Sequence, residues 1–200
     1  MQTINTTAEL EALYGDAIPG AITKVFPHLT PCYRQWIEQS RFMILTTVGP
    51  EGTDASPRGD LDCVVRIQDD KTLWLPDWRG NNRTDSLRNI VRDGRLSLLF
   101  MVPGCKNVVR LNGRAVLTAD AAATSSFRVN NRHPRSVIIV SIEEVYYQCA
   151  KALMRSGLWQ ANDESDRVPT AGDFLREVEA GFDAQAYDDN YAEYARDRMW

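Results

Sequence analysis

The chain has 200 residues, 44% of them apolar and 25% charged, which suits one domain with a core and leaves little room for two. No apolar run reaches the roughly 18 residues that a membrane span needs, and the opening MQTINTTAEL has neither a basic nor an apolar segment, so no secretory signal is expected. Cys32, Cys63, Cys105 and Cys149 are scattered without a C-x-x-C pair or a nearby histidine, so no disulfide framework or metal site is expected and a reducing cytoplasm fits.

Taken in chain order, NTTAELEALYG reads as a short helix with a Thr6/Glu9 capping box and Gly15 as its stop. LTPCYRQWIEQS is a second, with Thr30 as N-cap and Pro31 in the first turn. RFMILTTV is β-rich and ends at the turn Gly49-Pro50-Glu51-Gly52. TDASPRGD reads as a link between strands, in which Asp60 would restrain Arg58. Its Arg-Gly-Asp triplet resembles an adhesion label, which an intracellular chain has no use for. CVVRIQ and TLWLP are strands around the turn Asp69-Asp70. The loop DWRGNNR leads into the helix TDSLRNIVRD, with Leu87, Ile90 and Val91 as its apolar face. RLSLLFMV, NVVRLNGRAVLT and RSVIIVSIEEVYY are the remaining strands. TAGDFLREVEAGF and DDNYAEYARDRMW are helices, the latter ending at an exposed Trp200.

Six or seven strands joined mostly by turns too short for parallel crossovers predict an antiparallel barrel with flanking helices, mainly β in class (α+β). The expected organisation is a helical segment over 1–40, the barrel over 41–160 and an acidic helical extension over 161–200. The net charge of −4 conceals a division: residues 1–159 hold 19 Lys+Arg against 16 Asp+Glu, and residues 160–200 hold 4 against 11. Eight basic residues lie between Arg79 and Arg114, opposed only by Asp85 and Asp93. That concentration suggests an anionic partner, for which a small phosphorylated ligand suffices. A nucleic-acid barrel would need Trp74 and Trp78 exposed beside the arginines, and the acidic extension argues against it.

Much catalytic chemistry is excluded. His28 and His133 are the only histidines, there is no G-x-S-x-G elbow, and neither G-x-G-x-x-G nor a P-loop is present. Both histidines read as ordinary loop residues, and no catalytic side chain is identifiable. Demanding chemistry would have to come from a cofactor. An anion could sit at RGNNRTDS, where Asn81 and Asn82 tolerate left-handed backbone and Arg83 stands beside a helix start. The same loop also reads as an Asn/Gly turn with a solvated arginine. Arg58 is either a second anion ligand or a surface arginine. Lys151 and Arg155 share a helix face at i,i+4, so they either answer an anion or acid or extend into water.

The succession ILTTVGPEG, SPRGD, LPDWRGNNRTDSLRNI, RLSLLF, VVRLNGRA, over about residues 30–160, resembles the pyridoxamine 5'-phosphate oxidase-like flavoproteins, which are FMN-binding split β-barrels. With QCAKALMRSGLW it is similar to an FMN-dependent oxidase-type subgroup of them. The resemblance implies that SPRGD is itself part of a strand. It implies that Ser56, Arg58, Asn82, Arg83 and Ser86 hold the FMN phosphate and that Leu75, Pro76 and Asp77 edge the flavin ring. It also implies a homodimer with the flavin at the interface, Lys151, Arg155 and Trp159 approaching ring or substrate, the last three from the same or the second subunit. The implied activity is two-electron transfer through FMN between a small-molecule or nicotinamide donor and oxygen or another acceptor. A non-catalytic flavin- or haem-binding protein of the same fold is the alternative. No nucleic acid or membrane is expected as a partner. True pyridoxamine phosphate oxidases carry an R-x-x-x-x-K strand pattern and a C-terminal Arg/His motif. SPRGDLDC lacks that lysine and YAEYARDRMW lacks that motif, so pyridoxamine phosphate is not the expected substrate.

Overall fold

The computed structural model describes residues 1–160, 163–196 and 198–200; the start of the extension expected at 161, and position 197 within it, lie outside the described residues. Local chemistry sets the first helices. In α1 (Thr7–Tyr14) the Thr6 hydroxyl accepts from Glu9 N and Gly15 follows with φ 69°. A four-residue turn of helix, α2 (Pro19–Ile22), comes next, and Pro31 opens α3 (Pro31–Glu38), which buries Tyr33 and Ile37.

Seven strands follow: β1 (Phe42–Gly49), β2 (Gly52–Gly59), β3 (Arg66–Ile67), β4 (Thr72–Asp77), β5 (Arg95–Met101), β6 (Val108–Thr118) and β7 (Ser136–Gln148). Helix α4 (Asp85–Arg92) carries the chain from β4 to β5, and α5 (Ala121–Ser125) lies between β6 and β7. After the strands come α6 (Lys151–Ser156), α7 (Ala171–Val178) and α8 (Ala184–Arg196). All pairings are antiparallel, in the order β2-β1-β5-β6-β7-β4-β3. The barrel is therefore split: β2 and β3 are free edges, where closure would have removed both. Its core is built by alternation, with Met43 and Leu45, Leu73 and Leu75, Leu98 and Phe100, and Val140 nearly sealed from solvent.

Three expectations change. TDASPRGD is not a link but most of β2, paired residue for residue with β1, including Pro57 opposite Ile44. Pro57 is tolerated because β2 is an edge. CVVRIQ contracts to the two residues of β3, since Val64 and Val65 bury themselves from the preceding loop rather than in a ladder. Val91 is 73% exposed, and α4 instead packs with Ser86, Leu87, Asn89 and Ile90. The Asn89 amide donates to Thr47 Oγ1 at 3.2 Å, and it lies where a Cβ on Gly49 would stand. A polar contact thus replaces part of the apolar face and fixes the helix against β1.

The register slips once, between Asn112 and Gly113 of β6, opposite β7. At Gly113 an added Cβ would stand 2.1 Å from the Ser141 carbonyl oxygen, a backbone atom with no freedom to retreat. Gly113→Ala should therefore destabilise the fold by about 1–3 kcal/mol, read as a lowered denaturant midpoint; an unchanged midpoint would mean that the bulge is not formed.

Candidate functional site

Directly opposite residues of an antiparallel pair share a face. Arg58, Ser56 and Asp54 of β2 lie opposite Met43, Leu45 and Thr47 of β1, all three of them buried. The edge strand therefore turns a hydroxyl, a guanidinium and a carboxylate toward the interior side, where its neighbour turns core residues. Such a face is stable only if its polar groups find partners.

Most do. The Arg58 Nη1–H donates to Asp77 Oδ1 at 2.7 Å, with both side chains about one-fifth exposed. Asp77 ends β4, which lies next to the other edge of the sheet, so this ion pair bridges the split. The Ser86 hydroxyl, buried at the start of α4, donates to Asp54 Oδ2 in a short contact. Asp60 does not hold Arg58 as expected. Its Oδ2 accepts from Trp78 Nε1 at 2.9 Å and its Oδ1 from Leu61 N at 2.8 Å. One donor remains over: Arg58 Nε is buried and has no hydrogen-bond partner.

A cavity of about 380 Å³ opens there, within the roughly 300–1,000 Å³ of ordinary ligand sites. It brings together Ser56, Arg58, Leu75, Pro76, Asp77, Asn82, Arg83 and Ser86. Asn82 adopts φ 62°, and its side-chain oxygen accepts from Arg135 Nη1 at 3.1 Å. Arg83 N donates to Asn81 Oδ1 at 2.9 Å, which shapes the turn into α4. The N-cap, Thr84, makes no side-chain cap, so the first-turn amides carry no side-chain acceptor and their partial positive charge stands by the cavity. Arg83 Nε is 2.6 Å from Asp85 Oδ2, and that hydrogen bond raises the guanidinium's pKa further above its ordinary value.

Lys151, Arg155 and Trp159 are not in the cavity. Ser136, the first residue of β7, lines it, whereas α6 follows the last residue of the same strand. Thirteen residues of strand, about 40 Å of path at ~3.3 Å per residue, lie between. Trp159 Nε1 instead donates to Cys105 O at 2.8 Å.

Sequence reasoning missed Asp60, Trp78, Arg79, Arg135, Ser136 and Met199, which also line the cavity. Trp74 and Trp78 pack on a small second core of Ala123, Phe127 and Val137, so neither ring is a free stacking platform. Cys63 offers no nucleophile: it donates to Ile37 O, and burial pushes its thiol pKa up. Among the described residues no group of three His, Cys, Asp or Glu could hold a metal, and no helix is long and apolar enough to cross a membrane.

A family model for pyridoxamine 5'-phosphate oxidase matches residues 29–149. The chain belongs to that family. The match runs from the end of the N-terminal arm to the end of β7, so it contains every residue of the cavity except Met199. No curated protein matches the chain. Among solved structures, a variant of HupZ from Group A Streptococcus has a TM-score of 0.50 at 19% identity, over 60% of this chain and 98% of that one. General Stress Protein 26 from Bacillus anthracis has a TM-score of 0.44 at 16% identity, over 57% and 88% of the two chains. An FMN-binding protein from Syntrophomonas wolfei has a TM-score of 0.41 at 12% identity, over 58% and 88%. The first of these supports the split-barrel fold of the family and nothing finer.

Because Arg58–Asp77 crosses the split in a half-enclosed setting, Asp77→Asn should cost about 1–3 kcal/mol of stability. The loss should shrink at high salt, where the charge term is screened. Equal stability of the two proteins in guanidine-free urea titrations would show that the pair contributes nothing.

Proposed function

We propose that this pyridoxamine 5'-phosphate oxidase-family chain binds FMN in the cavity at the split and acts as an oxidoreductase. Two electrons would pass between a small-molecule or nicotinamide donor and oxygen or another acceptor. The observation that carries the reading is Arg58. Its Nη1 is fixed by Asp77 while its buried Nε lacks an acceptor, and a phosphate oxygen is the acceptor that such a charged donor favours. The α4 N-terminus, Asn82 and Ser56 stand around the same space and suit the same anion.

Arg83 and Ser86 would join the phosphate by exchanging their present carboxylate partners, Asp85 and Asp54. Leu75 and Pro76 are buried and offer an apolar edge for the flavin ring, with Asp77 beside them. FMN supplies, when bound, the two-electron redox chemistry that no side chain of the cavity offers. The protein's share is to bind the phosphate, orient the ring and exclude water around it. Pyridoxamine phosphate is not the substrate in this reading, since SPRGDLDC lacks the strand lysine it would require. Function as a homodimer in the cytoplasm completes the proposal, because Lys151, Arg155 and Trp159 lie too far along β7 to serve their own cavity.

The second reading is a flavin-binding protein without turnover. It is favoured by the lining of the cavity among the described residues, which holds no histidine, cysteine, lysine or tyrosine, and whose two carboxylates, Asp60 and Asp77, are engaged by Trp78 and Arg58. The same lining disfavours haem, for which Met199 is, among the described residues, the one side-chain ligand of the usual kind.

Purified protein should be yellow, with FMN released on denaturation. Arg58→Ala should weaken FMN binding by at least about tenfold, the worth of one charge-assisted hydrogen bond, with Arg58→Lys intermediate. A colourless, folded protein with no affinity for added FMN overturns the proposal. Anaerobic bleaching of the flavin by a reduced nicotinamide separates the enzyme from the binder.

A further inference from the structure

The cavity holds arginines of two kinds. Arg58 and Arg83 each face a carboxylate already, Asp77 at 2.7 Å and Asp85 at 2.6 Å. Arg79 and Arg135 line the same opening, and no ion pair among the described residues involves either of them. The other carboxylate of the lining, Asp60, is taken up by Trp78 Nε1 and Leu61 N. Two cations thus stand at one opening with no acid to answer them.

The fold brings this pair together from distant parts of the chain. β4 and β7 run antiparallel, and their ladder ends with Asp77 opposite Ser136. Arg79 lies two residues past Asp77 and Arg135 one before Ser136, so both leave the sheet at the same end. Arg135 Nη1 donates to Asn82 Oδ1 at 3.1 Å, which holds that guanidinium against the turn that Arg79 opens. This wall is separate from the one assigned to the phosphate. Ser56, Arg58, Arg83 and Ser86 share an adjoining recess of about 230 Å³, whose lining includes neither Arg79 nor Arg135. Guanidinium groups held at one opening repel each other until an anion joins them. Carboxylate and phosphate are the anions whose paired oxygens match the arginine fork.

We propose that Arg79 and Arg135 form a second anion subsite, and that the molecule exchanging electrons with the flavin is itself an anion. It is a small compound held at the opening by a carboxylate or a phosphate group. Asn82 uses one N–H of Arg135 and leaves its other donors, and all those of Arg79, for that group. Arg79 follows Leu75, Pro76 and Asp77 closely in the chain. An anion on it therefore sits toward the edge assigned to the ring, not in the recess assigned to the phosphate. A neutral or cationic compound gains nothing from the subsite, which makes charge the first criterion of selection. This rests on the FMN reading above and names the class of its second reactant.

The test is calorimetric titration of the full chain with two probes, inorganic phosphate and malonate. FMN-saturated wild type should bind one probe ion per chain. Arg79→Gln with Arg135→Gln should weaken that binding at least about tenfold, the worth of one charge-assisted hydrogen bond, with the circular dichroism of wild type. FMN affinity should stay within about twofold, as for independent sites. Arg79→Lys with Arg135→Lys, which keeps the charge and loses the fork, should fall between. Tighter malonate marks a carboxylate-bearing reactant and tighter phosphate a phosphorylated one, and either supports the subsite. An FMN-saturated chain that binds neither probe, a glutamine variant that binds them like wild type, or one that loses FMN in equal measure overturns it. The cofactor-free chain separates the two readings. It should take up two phosphate ions, one lost with Arg58→Ala and the other with the glutamine variant. A chain that does this and never binds FMN keeps the subsite and loses the cofactor, whereas a yellow protein indifferent to both probes does the reverse.

Discussion

The ion pair between Arg58 and Asp77 joins the two sides of an open sheet, and the geometry of the cavity depends on it. An edge strand with Asp54, Ser56 and Arg58 facing inward would be unstable if those groups were simply dehydrated. Pairing Arg58 with Asp77 and Asp54 with Ser86 makes the polar face tolerable while holding the edges of the split apart at a fixed width. The apolar solution, a closed ladder between the edges, would have left no room for a ligand. The cost of opening the barrel is thus met by charge.

Helix α4 supplies the other wall. It is held by hydrogen bonds from Ser86 and Asn89 as well as by Ile90, and such bonds fix rotation about the helix axis more narrowly than apolar contact does. The amides of its first turn therefore have a defined direction. Around them the cavity is lined by Arg58, Arg79, Arg83 and Arg135 against Asp60 and Asp77, a positive balance inside a chain that is acidic as a whole. That local balance favours an anion within the cavity over a cation.

Legibility followed the range of the interactions. The Thr6/Glu9 box and Pro31 at a helix start depend on neighbours a few residues away, so they could be read directly. The long strands were legible from their apolar content, and the GNNR turn from its Asn and Gly residues. β2 was not legible from composition, because a strand of Pro, Gly and charged residues looks like a link until its partner strand is known; only the resemblance marked it. Val91 misled because i,i+3 spacing was assumed to mean burial, while polar contacts had rotated the helix. Arg135 and Ser136 enter the cavity from the start of β7, far along the chain, and nothing in their local sequence marks them. The partner of Arg58 had the same difficulty: Asp60 is near in sequence, but Asp77 is near in space.

Free edges have one more consequence. An unpaired strand edge is a template on which another chain can add itself, and open sheets are prone to aggregation for that reason. Here the two edges are blunted by different means. β3 has only two residues, too few to guide a strand, and β2 carries Pro57, which interrupts its row of backbone donors. The two residues of β3 do not line the cavity, whereas Pro57 does. Both devices are properties of the chain itself, so the protection against strand-to-strand growth is present before any ligand arrives.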